Sequence, residues 1–186
     1  MNFTDVLEFW FGREPGGTRP EWFRKDAAFD AEIRRRFGAL HASAARRELE
    51  AWRAAPAPML ALIVVLDQFS RNLFRGDASA FAQDVHAREC SVEALFRGDD
   101  RLLLPVQRQF IYLPFEHSED LAEQDKCVEL MRSLEAFEAT RGLVEWAERH
   151  REVVRRFGRF PHRNATLGRP STAEEVEFLK QPRSGF

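Results

Sequence analysis

Apolar positions repeat at helical spacing along almost the whole chain, and no stretch alternates at strand period for any useful length. Val6, Leu7, Phe9 and Trp10 follow Thr4, which can cap a first helix that stops at Gly12. Residues 13–20 hold two Pro and two adjacent Gly and form a loop. From about Pro20 to Ala45, Phe29, Ile33, Phe37 and Leu40 make one apolar stripe, with Arg34, Arg35 and Arg36 on a solvated face. Leu49 and Trp52 mark a short continuation before Pro56 and Pro58. The next helix, about 58–73, carries Met59, Leu60, Leu62, Ile63, Val64, Val65, Leu66 and Phe69 around its whole circumference, which predicts burial on all sides.

Gly76 ends that helix, and another is expected over about 77–96. Phe81, Val85, Val92, Leu95 and Phe96 share one of its faces. Ala80, Ala87, Cys90 and Ala94 line the other, where a second helix can approach closely. Gly98 follows it, and in both copies of LFRGD the Gly reads as a left-handed cap rather than part of an adhesion motif. Pro105 opens a helix through Leu113, which Pro114 breaks or kinks. A long helix is expected from about Phe115 to Thr140, then one over 143–157 between Gly142 and Gly158. Ser171 to Glu175 carry a capping-box pattern before a short last helix. The pattern thus predicts an all-α domain over residues 1–186 with about seven to nine helices, and a loose tail at 181–186. Short connections imply antiparallel neighbours stacked in pairs, in a single bundle or a helical-repeat array.

Composition narrows the partners. With 186 residues and 44% hydrophobic content the chain can bury a sizeable core and is too apolar to be disordered. A net charge of -2 lacks the basic excess of a nucleic-acid binder, so no nucleic-acid partner is expected. The longest apolar run, Met59 to Leu66, is far short of a membrane span, and Asp5 and Glu8 interrupt an N-terminus without the basic region of a signal peptide. Cys90 and Cys127 are isolated thiols rather than a disulfide framework. Together these features predict a cytoplasmic protein with no membrane partner, no metal and no cofactor.

Polar residues inside apolar helices point to chemistry, because buried polar groups need partners. Asp67 and Arg71 lie four apart on the buried helix and can pair on one face, with Asn72 just beyond. Ser70 lacks the glycine-flanked elbow of a hydrolase nucleophile. Residues 113–125 pack Glu116, Glu119, Asp120, Glu123 and Asp125 around His117. On a continuous helix His117, Asp120 and Gln124 would share a face, without the HExxH spacing of a zinc site. Residues 150–169 join six Arg with His150, His162 and Asn164, groups suited to gripping a carboxylate or phosphate. The same cationic segment can instead clamp the acidic block at 116–125. Asp84 is placed to satisfy Arg88 one turn later, and His41 and His86 have no evident partner.

The stretches VLEFWFG (6–12), LALIVVLDQFSRNLFRG (60–76), FIYLPFEHSEDLAEQD (110–125) and RFGRFPHRNATLGRPST (156–172) resemble domain of unknown function 924, a bacterial family, from about Val6 to Leu179. The resemblance implies a tetratricopeptide-like right-handed array of antiparallel helix pairs and brings no activity. The usual family motif has Pro where this chain has Ser70. Two functions follow from the residues. In the first, Arg159, His162, Arg163 and Asn164 hold a small anion, His117, Glu119 and Asp120 face it, and Asp67, Arg71 and Asn72 support them. His117 or His162 would then be the acid/base of a hydrolysis or transfer. In the second, the helices form a groove for a peptide and the polar set only stiffens the array.

Overall fold

The computed structural model describes every residue except Arg183 and Phe186. Among the described residues there are eight α-helices and no strand. They are α1 (Phe3–Phe11), α2 (Ala27–Ala45), α3 (56–73), α4 (Asp84–Arg97), α5 (Pro105–Glu116), α6 (Leu121–Arg132), α7 (Leu143–Phe157) and α8 (Ala173–Leu179). Short 3-10 turns fill the connections. The all-α class and the helix number match the periodicity.

α3 is the axis of the fold. It begins as Pro56–Ile63, widens into a π-helical segment, Val64–Phe69, and closes as Ser70–Leu73. Residues Met59 to Phe69 are buried on every side, as an apolar circumference requires. α1, α2, α4 and α5 all pack on it. α4 meets α3 through its small residues: Ala87, Cys90 and Ala94 are fully buried, whereas Val85, Val92 and Phe96 are exposed. Gly98 and Gly158 cap α4 and α7 in the left-handed conformation that a side chain would strain.

Several boundaries differ from the sequence pattern. Asn2 rather than Thr4 caps α1, because its side chain accepts from the Asp5 N–H while Asp5 accepts from the Asn2 N–H. The helix expected from Pro20 is split. Pro20–Trp22 is a 3-10 turn whose Trp22 Nε1 donates to the Trp10 carbonyl at 2.8 Å, and α2 restarts after Asp26, which caps it. The long helix expected over 115–140 is also broken. α5 carries Pro114 in its last turn and continues to Glu116; the chain then turns, and Asp120 caps α6 by accepting from the Ala122 and Glu123 N–H groups. The buried Gln124 amide holds this corner, donating to the Glu116 and Ser118 carbonyls at 2.6 Å each. His117, Asp120 and Gln124 therefore do not share a helical face.

His41 and His86 are buried with partners. His41 Nε2 lies 2.7 Å from Ser70 Oγ and His86 Nε2 3.0 Å from Glu50 Oε1. These pairings span 29 and 36 residues, beyond the reach of local pattern. One apolar core joins α1 to α7, and a smaller cluster of Val153, Val154 and Phe160 with Phe157 and Phe178 pins α8. Of the tail expected to be loose, Ser184 is buried and donates to the Leu179 carbonyl at 3.0 Å. Arg183 and Phe186 lie outside the described residues.

Candidate functional site

A cavity of about 590 Å³ opens between α3, α5, α6, α7 and the loops carrying Trp22, Phe81 and His162. Phe23 and Trp146, both substantially exposed, flank it. Trp22, Phe81, Leu113, Met131 and Leu143 add apolar wall, and Arg24, Lys25 and Arg75 add cations. Gln68, Arg71, Glu116, His117, His150, His162 and Arg163 supply the remaining chemistry.

The π-helical segment positions the first polar layer. Asp67 is buried, and its carboxylate receives the Gln68 amide at 2.6 Å, Arg71 Nη1 at 3.0 Å and His117 Nδ1 at 2.8 Å. Burial alone would raise the Asp67 carboxyl, but Arg71 and His117 against it hold it below the usual range. An ionised carboxylate only accepts, so His117 carries its proton on Nδ1. Burial and the Arg71 charge outweigh Asp67 and lower the His117 pKa, so the ring is neutral at pH 7 and Nε2 is an acceptor. π-helical turns recur at functional sites, and this one sets an acid–histidine pair at the wall of a cavity.

Two arginines meet over Asp84. Arg71 Nη2 is 3.1 Å from Asp84 Oδ1 and Arg163 Nη1 is 3.3 Å from Asp84 Oδ2. Asp84 thus turns to Arg71 and Arg163, not to Arg88 as the one-turn spacing suggested. The Arg163 guanidinium sits 4.6 Å from the centroids of both Phe81 and Phe160. Burial and the Arg71 charge lower its pKa to about 10, and it stays charged at neutral pH. Arg163 Nε is buried without a hydrogen-bond acceptor among the described residues, whereas Arg71 Nη2 faces Asp84 as an ion pair outside ideal hydrogen-bond geometry. Arg71 Nη1 donates to the Asp67 carbonyl at 2.7 Å and Arg163 Nη1 to Asp84 Oδ2.

Three further groups are neutral in this setting. Burial, with Asp67 nearby, raises the Glu116 carboxyl to about 8. Burial depresses His150 to about 3, and its Nδ1 donates to the Trp146 carbonyl at 2.8 Å while lying 3.6 Å from Glu116 Oε1. Burial and Arg163 depress His162 to about 4. The cavity therefore offers charged guanidinium donors, a protonated carboxyl and three neutral imidazoles among apolar walls. Among the described residues no three His, Cys, Asp or Glu side chains are arranged to hold a metal ion.

Of the residues picked out in the sequence, Arg71, Asn72, His117, His162 and Arg163 line the cavity, and Asp67 lies directly behind His117. Glu119, Asp120, Arg159 and Asn164 do not line it. Glu119 takes two bonds from Arg169, at 2.6 and 2.8 Å, and one from the Phe160 N–H. Asp120 is the α6 cap. Arg159 grips the buried Glu175 at 2.7 and 2.8 Å, and buried Asn164 donates to Ser171 and Glu175 while accepting from Arg169. The cationic segment accordingly divides: Arg159 and Arg169 clamp, and Arg163 faces the cavity. Asp84 and the aromatic walls carry no site signal in the sequence, and Glu116 and His150 appear there only as members of the acidic and cationic segments. Glu116 stands beside His117 in the acidic block, and that adjacency was the available signal.

No helix among the described residues is long and apolar enough to cross a membrane. The chain matches the family model described as bacterial protein of unknown function (DUF924) over residues 6–183. A solved structure of a protein of unknown function from Agrobacterium tumefaciens is 44% identical and superposes with a TM-score of 0.88, over 97% of each chain. Among curated proteins none matches the chain.

Proposed function

Because the chain belongs to the bacterial DUF924 family, which carries no activity in its description, we propose a function from the site alone: the cavity binds a small anionic ligand and poises His117 for acid–base chemistry on it. The observation that carries this reading is the pair of charged guanidinium groups on one cavity wall, Arg71 and Arg163, of which Arg163 Nε is buried with no acceptor among the described residues. A carboxylate or phosphate satisfies such donors bidentately. Asp67 holds the His117 proton on Nδ1 and would stabilise the imidazolium formed when Nε2 takes a proton from water or a hydroxyl. Glu116, protonated at neutral pH, is the matching proton donor. Hydrolysis or group transfer is the reaction class this set serves, and a cytoplasmic site is its natural setting.

The test is a set of thermal melts with acetate, benzoate and inorganic phosphate. Binding raises the melting temperature by mass action in the wild-type protein. The rise disappears in Arg163→Met, whatever that variant's own starting stability. Equal rises in both proteins would reject the reading.

One observation favours a second role. Val85, Val92 and Phe96 form an exposed apolar stripe on α4, away from the buried Ala87, Cys90 and Ala94, as a helical interaction module would present to a peptide. A Phe96→Ser variant that loses a bound peptide while keeping anion binding would establish that role separately.

A further inference from the structure

The charge and wall chemistry of the cavity go one step further than the word anion and rest on the anion-cavity reading above. We infer that the ligand is a monocarboxylate with an apolar body, its carboxylate held by Arg71 and Arg163 and its body lying against Leu113, Leu143 and Trp146. Three observations support this class.

The first is the local charge balance. Arg71 and Arg163 are the most buried cations of the wall, and Asp67 and Asp84 contact them at 3.0 to 3.3 Å; Arg24, Lys25 and Arg75 sit at solvent, where water screens them, and Arg24 and Arg75 are paired with Asp26 and Asp30. Two positive charges meet two negative ones. The neighbouring Glu116, His117, His150 and His162 are neutral at pH 7, so none adds a counter-charge. A monoanion leaves this buried set with one excess negative charge. A phosphate monoester dianion leaves two, against carboxylates that cannot move away, and charge burial without a counterion is strongly unfavourable.

The second is the donor geometry. Arginine forks match the two oxygens of a planar carboxylate. The protonated Glu116 carboxyl also lines the cavity and is an O–H donor, and a carboxyl–carboxylate hydrogen bond suits a monoanion.

The third is the volume and its lining. About 590 Å³ falls within the range that encloses drug-sized organic ligands and greatly exceeds what a bare inorganic anion fills. Aliphatic and aromatic side chains make much of the wall, so an apolar body gains burial there that acetate does not.

The experiment is isothermal titration of the full chain with matched pairs: octanoate against octyl phosphate, and 3-phenylpropanoate against 3-phenylpropyl phosphate, with acetate and 1-octanol as controls. The expected result is that each long carboxylate binds at least about tenfold more tightly than its phosphate, than acetate and than the neutral alcohol. Trp146→Ala, at a half-exposed wall position, weakens octanoate several-fold and leaves acetate unchanged. Phosphate esters that bind as tightly as the carboxylates would overturn the carboxylate class and leave the anion cavity standing. Octanol that binds as tightly as octanoate would overturn the class as well. No binding by any of the anions would remove both.

Discussion

His117 Nδ1 and Asp67 Oδ1 lie 2.8 Å apart across fifty residues of sequence, joining the π-helical turn of α3 to the end of α5. The contact gives His117 one tautomer and leaves Nε2 as the acceptor at the cavity. It also ties Arg71 into the same network, because Arg71 shares the Asp67 carboxylate and reaches on to Asp84.

Removing one member of this buried set should be expensive. Asp67→Ala leaves Arg71 with Asp84 as its remaining anion and takes the orienting group from His117. Urea unfolding should show a loss of about 3–5 kcal/mol. His117→Ala removes one hydrogen bond to a charged group and should lose about 1.5–3 kcal/mol. If Asp67→Ala were as stable as wild type, the pair would not be an internal anchor.

Acid should weaken the fold through His150 and His162. Their folded pKa values of about 3 and about 4 lie below the ordinary 6.5, so the unfolded chain binds protons first. Stability that is fully present above pH 6.5 is then lost as pH falls toward 4 and 3. A His162→Gln variant should show a flatter decline over that window in urea titrations at stepped pH. An unchanged slope would place the proton uptake elsewhere.

Glu116 acts on the other side. Its folded pKa of about 8 lies above the ordinary 4.5, so the unfolded chain releases the proton first as pH rises. The folded state loses relative stability between pH 4.5 and 8, by on the order of 4–5 kcal/mol across the whole window. Glu116→Gln keeps the shape without the titration. It should be more stable than wild type at pH 8.5, with the gap closing as pH approaches 4.5 in the same measurements.

The clamp and the cavity should separate. Arg159→Ala leaves the buried Glu175 with only the Thr172 N–H and the Asn164 amide. It should lose about 1.5–3 kcal/mol, and amide exchange should quicken in α8. Anion-induced shifts in melting temperature should match those of wild type. A variant that lost anion binding with no change in α8 exchange would assign Arg159 to the ligand instead.

The sequence exposes the helices well because their signals are local. The apolar circumference of 58–73, the glycines at 98 and 158 and the capping box at Thr172 each act within a turn or two. The break at His117–Asp120 is hidden, since residues on both sides fit helical spacing and the closure depends on Gln124 reaching back to carbonyls. The π-helical turn shifts the register by geometry rather than by residue type. At the site, the Asp67–Arg71 pair is visible as an i, i+4 spacing. The Asp84–Arg163 contact spans 79 residues and belongs to the packing alone. The neutral state of Glu116 is likewise a product of burial. A carboxyl in an acidic run gives no sign of it, and the same holds for which arginine clamps and which faces the cavity.

A crystal structure of the full chain grown with octanoate tests the cavity assignment at its own atoms. Electron density is expected for a carboxylate in the cavity, with oxygens at hydrogen-bond distance, about 2.7–3.2 Å, from guanidinium nitrogens of Arg71 or Arg163 and the alkyl chain against Leu113, Leu143 and Trp146. An empty cavity under saturating ligand, or octanoate bound only elsewhere on the molecule, would contradict it.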